Sequence, residues 1–214
     1  VVAPLQPYLG GRWLPAFSIL SLATMTFGNL VALVQGDVQR MMAYSSIAHA
    51  GYLMVGMASL SDPAAARIGL QGIALHMTTY VLAKVGIFVS LSYMARKGLS
   101  LTLEGIRGSG KKLPVTSASM AVLLLSLMGM PPLIGFWSKF VYLILSIVDT
   151  APWLALAAII NSGISVGYYA QVIRYMFFAG GEPAVGPEED DPEVLVAVIS
   201  AALTLLLGMG IAPS

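Results

Sequence analysis

The chain has 214 residues, 57% of them hydrophobic and 10% charged, with a formal net charge of +1 and no cysteine. Soluble domains carry about 25% charged residues, so a mean hydropathy of +0.84 points to a polytopic membrane protein. Disulfides, iron–sulfur clusters and thiolate metal sites are excluded within the chain, and it holds neither a haem-attachment motif nor a Gly-rich nucleotide loop.

The sequence opens Val1-Val2-Ala3-Pro4, without an initiator Met or a signal-peptide n-region, and is expected to be a piece of something longer. Six apolar segments are long enough to cross a bilayer: about 16–35, 38–60, 66–95, 114–148, 151–178 and 193–212. They predict an all-α fold, a polytopic transmembrane helix bundle forming a single membrane domain over 1–214. Asp37 is expected to N-cap the second helix, with Arg40 in its first turn. The connection at 96–113 is basic, with Arg96, Lys97, Arg107, Lys111 and Lys112. The one at 179–192 is acidic and Pro-rich: Glu182, Pro183, Pro187, Glu188, Glu189, Asp190, Asp191 and Pro192. It reads as a solvated loop, with Asp191 and Pro192 starting the last helix.

The fourth segment, 114–148, would measure about 50 Å as one helix against a hydrocarbon core of about 30 Å. Pro131 and Pro132 place a break in it, leaving the carbonyls of Leu127 and Met128 without helical partners. Each half is short for a full crossing, so the segment reads as one discontinuous helix whose break is buried in protein or faces water. With six spans, Arg40, Arg96, Lys97, Arg107, Lys111, Lys112 and Arg174 share one side, and Arg12 and Arg67 the other. The basic side is then cytoplasmic and both termini face outward, to the periplasm of a bacterial inner membrane.

No Asp or Glu lies deep in any predicted span; the deep ionisable residues are His49, His76, Lys84 and Lys139. Counting about 1.5 Å per residue from the span ends puts His49 about 13 Å, Lys84 about 18 Å and Lys139 about 15 Å deep, near one level. His76, Tyr80 and Lys84 are spaced i, i+4, i+8 and share a helix face, with Thr78 and Thr79 off that stripe. A polar stripe on an apolar helix faces protein or a wet cavity. The histidines read either as interhelical hydrogen-bonding groups or as proton carriers. The lysines would need a buried acid for a purely structural role, and these spans offer none. Asn161, Ser162, Gly163, Tyr168 and Tyr169 read as small-residue packing and interhelical hydrogen bonds.

Two stretches carry a family resemblance. Gly36-Asp-Val-Gln-Arg-Met-Met-Ala-Tyr-Ser-Ser-Ile-Ala-His-Ala-Gly-Tyr52 resembles the signature of the antiporter-like membrane subunits of respiratory complex I. Met128-Gly-Met-Pro-Pro-Leu-Ile-Gly-Phe-Trp-Ser-Lys-Phe140 resembles that family's broken helix. The N-type subunits of bacterial proton-translocating NADH–quinone oxidoreductase are nearest, and Mrp-type sodium/proton antiporters and membrane-bound hydrogenases are related. The resemblance implies the C-terminal part of a subunit of about fourteen helices, with an earlier half-channel outside this chain. It implies a proton path through Lys139 as terminal lysine, Lys84 as connecting lysine, and His49, His76 and Tyr80 between them. Gln39 departs from the family, which often has a basic residue before Arg40, and Tyr80 stands where some paralogues carry histidine. As a translocase subunit the chain would hold no cofactor and no redox active site. NADH, flavin, iron–sulfur centres and quinone would belong to other subunits. The partners implied are other membrane subunits and the lipid bilayer, with no nucleic acid. The alternatives are part of an Mrp-type cation/proton antiporter or of a membrane-bound hydrogenase, or a structural membrane subunit without an ion path, whose polar groups only pack.

Overall fold

A computed structural model describes residues 10–180 and 189–211. After a 3-10 turn at Gly10–Arg12 come helices α1 (Trp13–Leu33), α2 (Val38–Ser59), α3 (Pro63–Arg96), the one-turn α4 (Ser109–Lys112) and α5 (Pro114–Met128). Helix α6 covers 134–147 and is π-helical over Trp137–Ile144. Helices α7 (Pro152–Phe177) and α8 (Pro192–Ile211) complete the bundle. No strand occurs among the described residues, only an isolated bridge between Asp37 and Thr102. Val1–Pro4 and the acidic-loop residues Glu182, Pro183, Pro187 and Glu188 lie outside the described residues.

Helix starts follow local chemistry. The Asp37 carboxylate accepts the Arg40 N–H at 2.8 Å and caps α2 as expected. Asp62 does the same for α3, accepting from Ala64 N at 2.9 Å, with Pro63 in the first turn. Helix α3 therefore starts three residues before the expected 66. Prolines also open α5, α7 and α8, where their missing N–H costs nothing.

Helices α1, α3, α7 and α8 are long and apolar enough to cross a membrane. Helix α2 is less apolar because Gln39, Arg40, His49 and serines interrupt it. Twelve of its 22 residues are buried, His49, Ser45 and Ser59 among them, so these polar groups meet protein, whereas Gln39 and Arg40 are exposed at its basic end. Helix α1 packs along α2, α3 along α8, and α5 between α3 and α8.

The expected break in the fourth segment begins before the prolines. Gly129 has φ +88°, the left-handed conformation that glycine adopts without penalty. Gly129 N donates to Ser126 O at 2.9 Å and Met130 N to Leu125 O at 3.1 Å, a Schellman ending for α5. Pro131 and Pro132 follow at once and prevent the helix from resuming. Across the break, Gly135 N donates to Ser126 Oγ at 3.2 Å. A Cβ on Gly135 would lie 1.8 Å from the Ser126 carbonyl oxygen, so only glycine allows this approach.

Contacts define the two ends of the bundle. At the basic end, Val38 N donates to Leu101 O at 2.8 Å, joining the start of α2 to the segment after α3, and Gly108 N to Tyr175 O at 3.1 Å, joining the start of α4 to the end of α7. At the other end, Trp13 Nε1 donates to Met57 O at 2.8 Å and Thr150 Oγ1 to Asp62 at 3.4 Å. Helix α5 starts at the basic end and α6 finishes at the other.

Candidate functional site

Lys139 sits in the π-helical part of α6 and is 1% exposed. Its Nζ donates to Leu127 O at 2.8 Å and approaches Ser162 Oγ at 3.4 Å. The Leu127 carbonyl is one of the two that the break was expected to leave open; the other, Met128 O, accepts from Ser162 Oγ at 3.5 Å. Unpaired carbonyls at a helix C-terminus carry the negative end of its dipole, so a lysine is well matched to this place. The Tyr52 ring lies under Nζ, 4.7 Å away at its centroid.

Lys84 on α3 is also buried. Its Nζ donates to Met42 O at 2.6 Å and makes a short contact with Ser45 Oγ, with the Tyr80 ring 5.9 Å away. Its head group thus reaches the level of the first turns of α2, nearer the basic end than counting back from Arg96 places it. Helix α3 has 34 residues, about 51 Å at 1.5 Å each, too long for its length to measure depth.

His49 and His76 are in direct contact, Nδ1 to Nε2 at 3.0 Å, with rings stacked 5.2 Å apart. His49 Nε2 meets the Tyr169 hydroxyl at 3.1 Å, and His76 Nδ1 meets Ser138 Oγ at 3.1 Å. Ser138 Oγ donates to Gly135 O at 3.2 Å, so it is free to accept from His76. With Ser138 accepting, the row runs in one sense: Tyr169 O–H to His49, His49 N–H to His76, His76 N–H to Ser138; the opposite tautomers reverse it. Every member can both give and take a proton, and with both imidazoles neutral each bond is satisfied. Ser45 also neighbours the Tyr169 hydroxyl. The hydrogen-bonded row therefore runs from Tyr169 through His49 and His76 to Ser138, the residue before Lys139, with Ser45, which meets Lys84 and donates to Met42 O at 2.9 Å, beside its Tyr169 end. Tyr80 lies beside it, its ring 5.8 Å from that of His49.

Among the described residues, neither buried lysine has an acidic partner. The four ion pairs among the described residues join Arg96 to Asp191 and Glu193, Lys97 to Asp191, and Arg107 to Glu104, all near the basic end. There the hydrogen bond from Lys97 holds the Asp191 carboxyl below its usual range, and the same bond raises Lys97. The acidic segment is thus more than a solvated loop: it binds the basic one.

The fold and these motifs place the chain beside known proteins. Residues 1–165 match the family described as NADH:quinone oxidoreductase/Mrp antiporter, TM. The chain belongs to that family. NADH-quinone oxidoreductase subunit N of Trichlorobacter lovleyi is 40% identical over 95% of this chain and 41% of its own length. F(420)H(2) dehydrogenase subunit N of Methanosarcina mazei is 34% identical over 99% of this chain and 43% of its own length. The chain thus spans about two fifths of the length of these curated relatives. Among solved structures, a chain of respiratory complex I from Thermus thermophilus with bound aureothin superposes with a TM-score of 0.75 at 31% identity, over 92% of this chain and 44% of that one.

In this member of the NADH:quinone oxidoreductase/Mrp antiporter family the bundle brings His49, His76, Lys84 and Lys139 into one buried zone, with Tyr80 half-buried beside it. Sequence reasoning missed Tyr169, Ser138, Ser45 and Ser162, which link or hold them. Tyr169 and Ser162 read as packing residues, yet Tyr169 closes one end of the histidine row and Ser162 sits at Lys139. Thr79, read as off the polar stripe, is buried and reaches Ser138 Oγ at 3.4 Å. The packing reading holds for Asn161, whose amide and carbonyl tie α7 to Asn29 and Thr26 on α1.

Proposed function

We propose that this chain carries one proton path of a proton-translocating membrane subunit, coupled to quinone reduction in other subunits. The observation that carries this reading is a pair of buried lysines that end on neutral oxygens, with a row of groups able to pass protons between them that reaches Ser138, the residue before Lys139. A charged lysine at membrane depth costs about 2.5–3.5 kcal/mol or more, and a fixed structural charge would be expected to keep a carboxylate beside it. Lysines that gain and lose a proton meet that cost only while occupied.

Lys84 takes a proton near the basic, cytoplasmic end. The row of Ser45, Tyr169, His49, His76 and Ser138 passes it across α2, α7, α3 and α6. Lys139 holds it at the break and releases it outward. Six crossings, with α5 and α6 together counting as one, put both ends of the chain on the periplasmic side of an inner membrane. The opposite-end positions of the α5 start and the α6 finish support that count. The partners are other membrane subunits and lipid. The relatives include an NADH–quinone and an F(420)H(2) enzyme, which supports a role separate from oxidising the electron donor and a chain without its own redox centre.

Lys139→Met in the assembled complex tests the reading. Protons moved per electron should fall while quinone reduction by uncoupled membranes continues. Unchanged proton stoichiometry would refute it. An Mrp-type antiporter subunit, the second reading, is supported by the family match; purification without flavin and iron–sulfur absorbance would favour it.

A further inference from the structure

Helix α5 is held by a charged side chain at each end. At its C-terminus Lys139 donates to Leu127 O. At its N-terminus the Glu189 carboxylate, from the segment before α8, accepts from Val115 N at 3.0 Å, Thr116 N at 2.8 Å and Thr116 Oγ1 at 2.5 Å. Leu113, the residue before α5, gives no side-chain cap. Free N–H groups at that end would otherwise go unmet, and Glu189 supplies from 73 residues away what a local Ser or Asp usually supplies.

The signs match the helix dipole at both ends: negative at the N-terminus, positive at the C-terminus. We propose that Glu189 is a positioning residue for proton loading at Lys139, acting through α5. It anchors the half-helix so that its open carbonyls meet Nζ, and its charge polarises the same run of peptide bonds. The inference rests on the proposed role of Lys139.

The size follows from geometry. Helix α5 has 15 residues, so with side-chain reach the two charges are roughly 25 Å apart. At an effective dielectric of about 20 the interaction favours the positive lysine by about threefold, or about half a pH unit. Other groups act on both ends. Around Lys139, α2 supplies His49 and Tyr52, α3 supplies His76, and α7 supplies the neutral Ser162 hydroxyl. Near Glu189 stand Asp190, Asp191 and Glu193 on its own segment, Lys111 and Lys112 before α5, and Arg96 and Lys97 at the end of α3.

The test uses the intact complex in proteoliposomes and records protons moved per electron against pH. Glu189→Gln, which keeps an acceptor but loses the charge, should move the alkaline fall-off of pumping about half a unit toward acid. Glu189→Asp should restore much of the original profile. Asp190→Asn, which removes a neighbouring exposed charge, should leave the profile in place because water screens it. A Glu189→Gln complex that is less stable but keeps the wild-type profile would overturn the proposal and leave Glu189 a structural staple. If Lys139→Met also pumps normally, the reading of Lys139 is what fails.

Discussion

Ser138→Ala is the most discriminating change to the histidine row. It removes one oxygen atom, opens no sizeable cavity and touches neither lysine. The lost Oγ accepts from His76 Nδ1 at 3.1 Å and from Thr79 Oγ1 at 3.4 Å, and donates to Gly135 O at 3.2 Å. Thr79 keeps its bond to Leu75 O at 2.8 Å, so the main casualty is the His76 N–H. Leaving a buried donor unmet costs about 1–3 kcal/mol, which slows transfer past His76 by about 5- to 150-fold at about 1.4 kcal/mol per tenfold. The assay is proton uptake and quinone reduction, followed together in proteoliposomes holding the assembled complex. The expected result is a lower proton-to-electron ratio with the complex assembled at its normal level. A Ser138→Ala complex with wild-type ratio and rate would refute the row as the route between Lys84 and Lys139.

Two further outcomes follow from the helix break and the charged end. Gly135→Ala must push apart the two halves of the fourth segment, since its Cβ would lie 1.8 Å from the Ser126 carbonyl oxygen. Overpacking of this kind costs about 1–3 kcal/mol, so the purified complex should melt earlier, whereas Gly163→Ala, with nothing within 4 Å of its Cβ, should not. For Asp191 the folded carboxyl titrates below its unfolded value of about 3.9, chiefly through its bond from Lys97. Its contribution is therefore present above that value and lost as pH falls through the lower folded one. Hydrogen-exchange protection at the start of α8, taken relative to the intrinsic rate at each pH, should fall on acidification, and Asp191→Asn should show low protection already at neutral pH and little further acid response.

The fold was largely legible because its signals are local. Asp37, Asp62 and the opening prolines sit next to the helices they start, and the Pro131-Pro132 pair marks the interrupted segment. The exact point of interruption was less plain, since the chain leaves the helix at Gly129 and a single glycine among apolar residues gives little warning. The site was half legible. Lysines and histidines stand out wherever hydrocarbon is expected, so Lys84, Lys139, His49 and His76 could be found by cost alone. Serine and tyrosine are ordinary in such helices. Nothing in the sequence separates Tyr169, which meets His49, from Tyr168, which meets Asn29, because that choice depends on how α7 is rotated against α2 and α1. Glu189 was hidden for the same reason: its partners are more than 70 residues away.

The slope of the proton row has an electrical consequence. Lys84 ends at Ser45, seven residues after the start of α2, whereas Lys139 ends at Leu127, thirteen residues after the start of α5. Both helices start at the basic end, so the two head groups differ in depth by about 10 Å, a third of a 30 Å core. A proton moved between them crosses that part of the transmembrane voltage, about 0.8 kcal/mol for each 100 mV. On the proposed path the internal leg would do work against the membrane voltage and slow as the membrane charges, alongside loading and release.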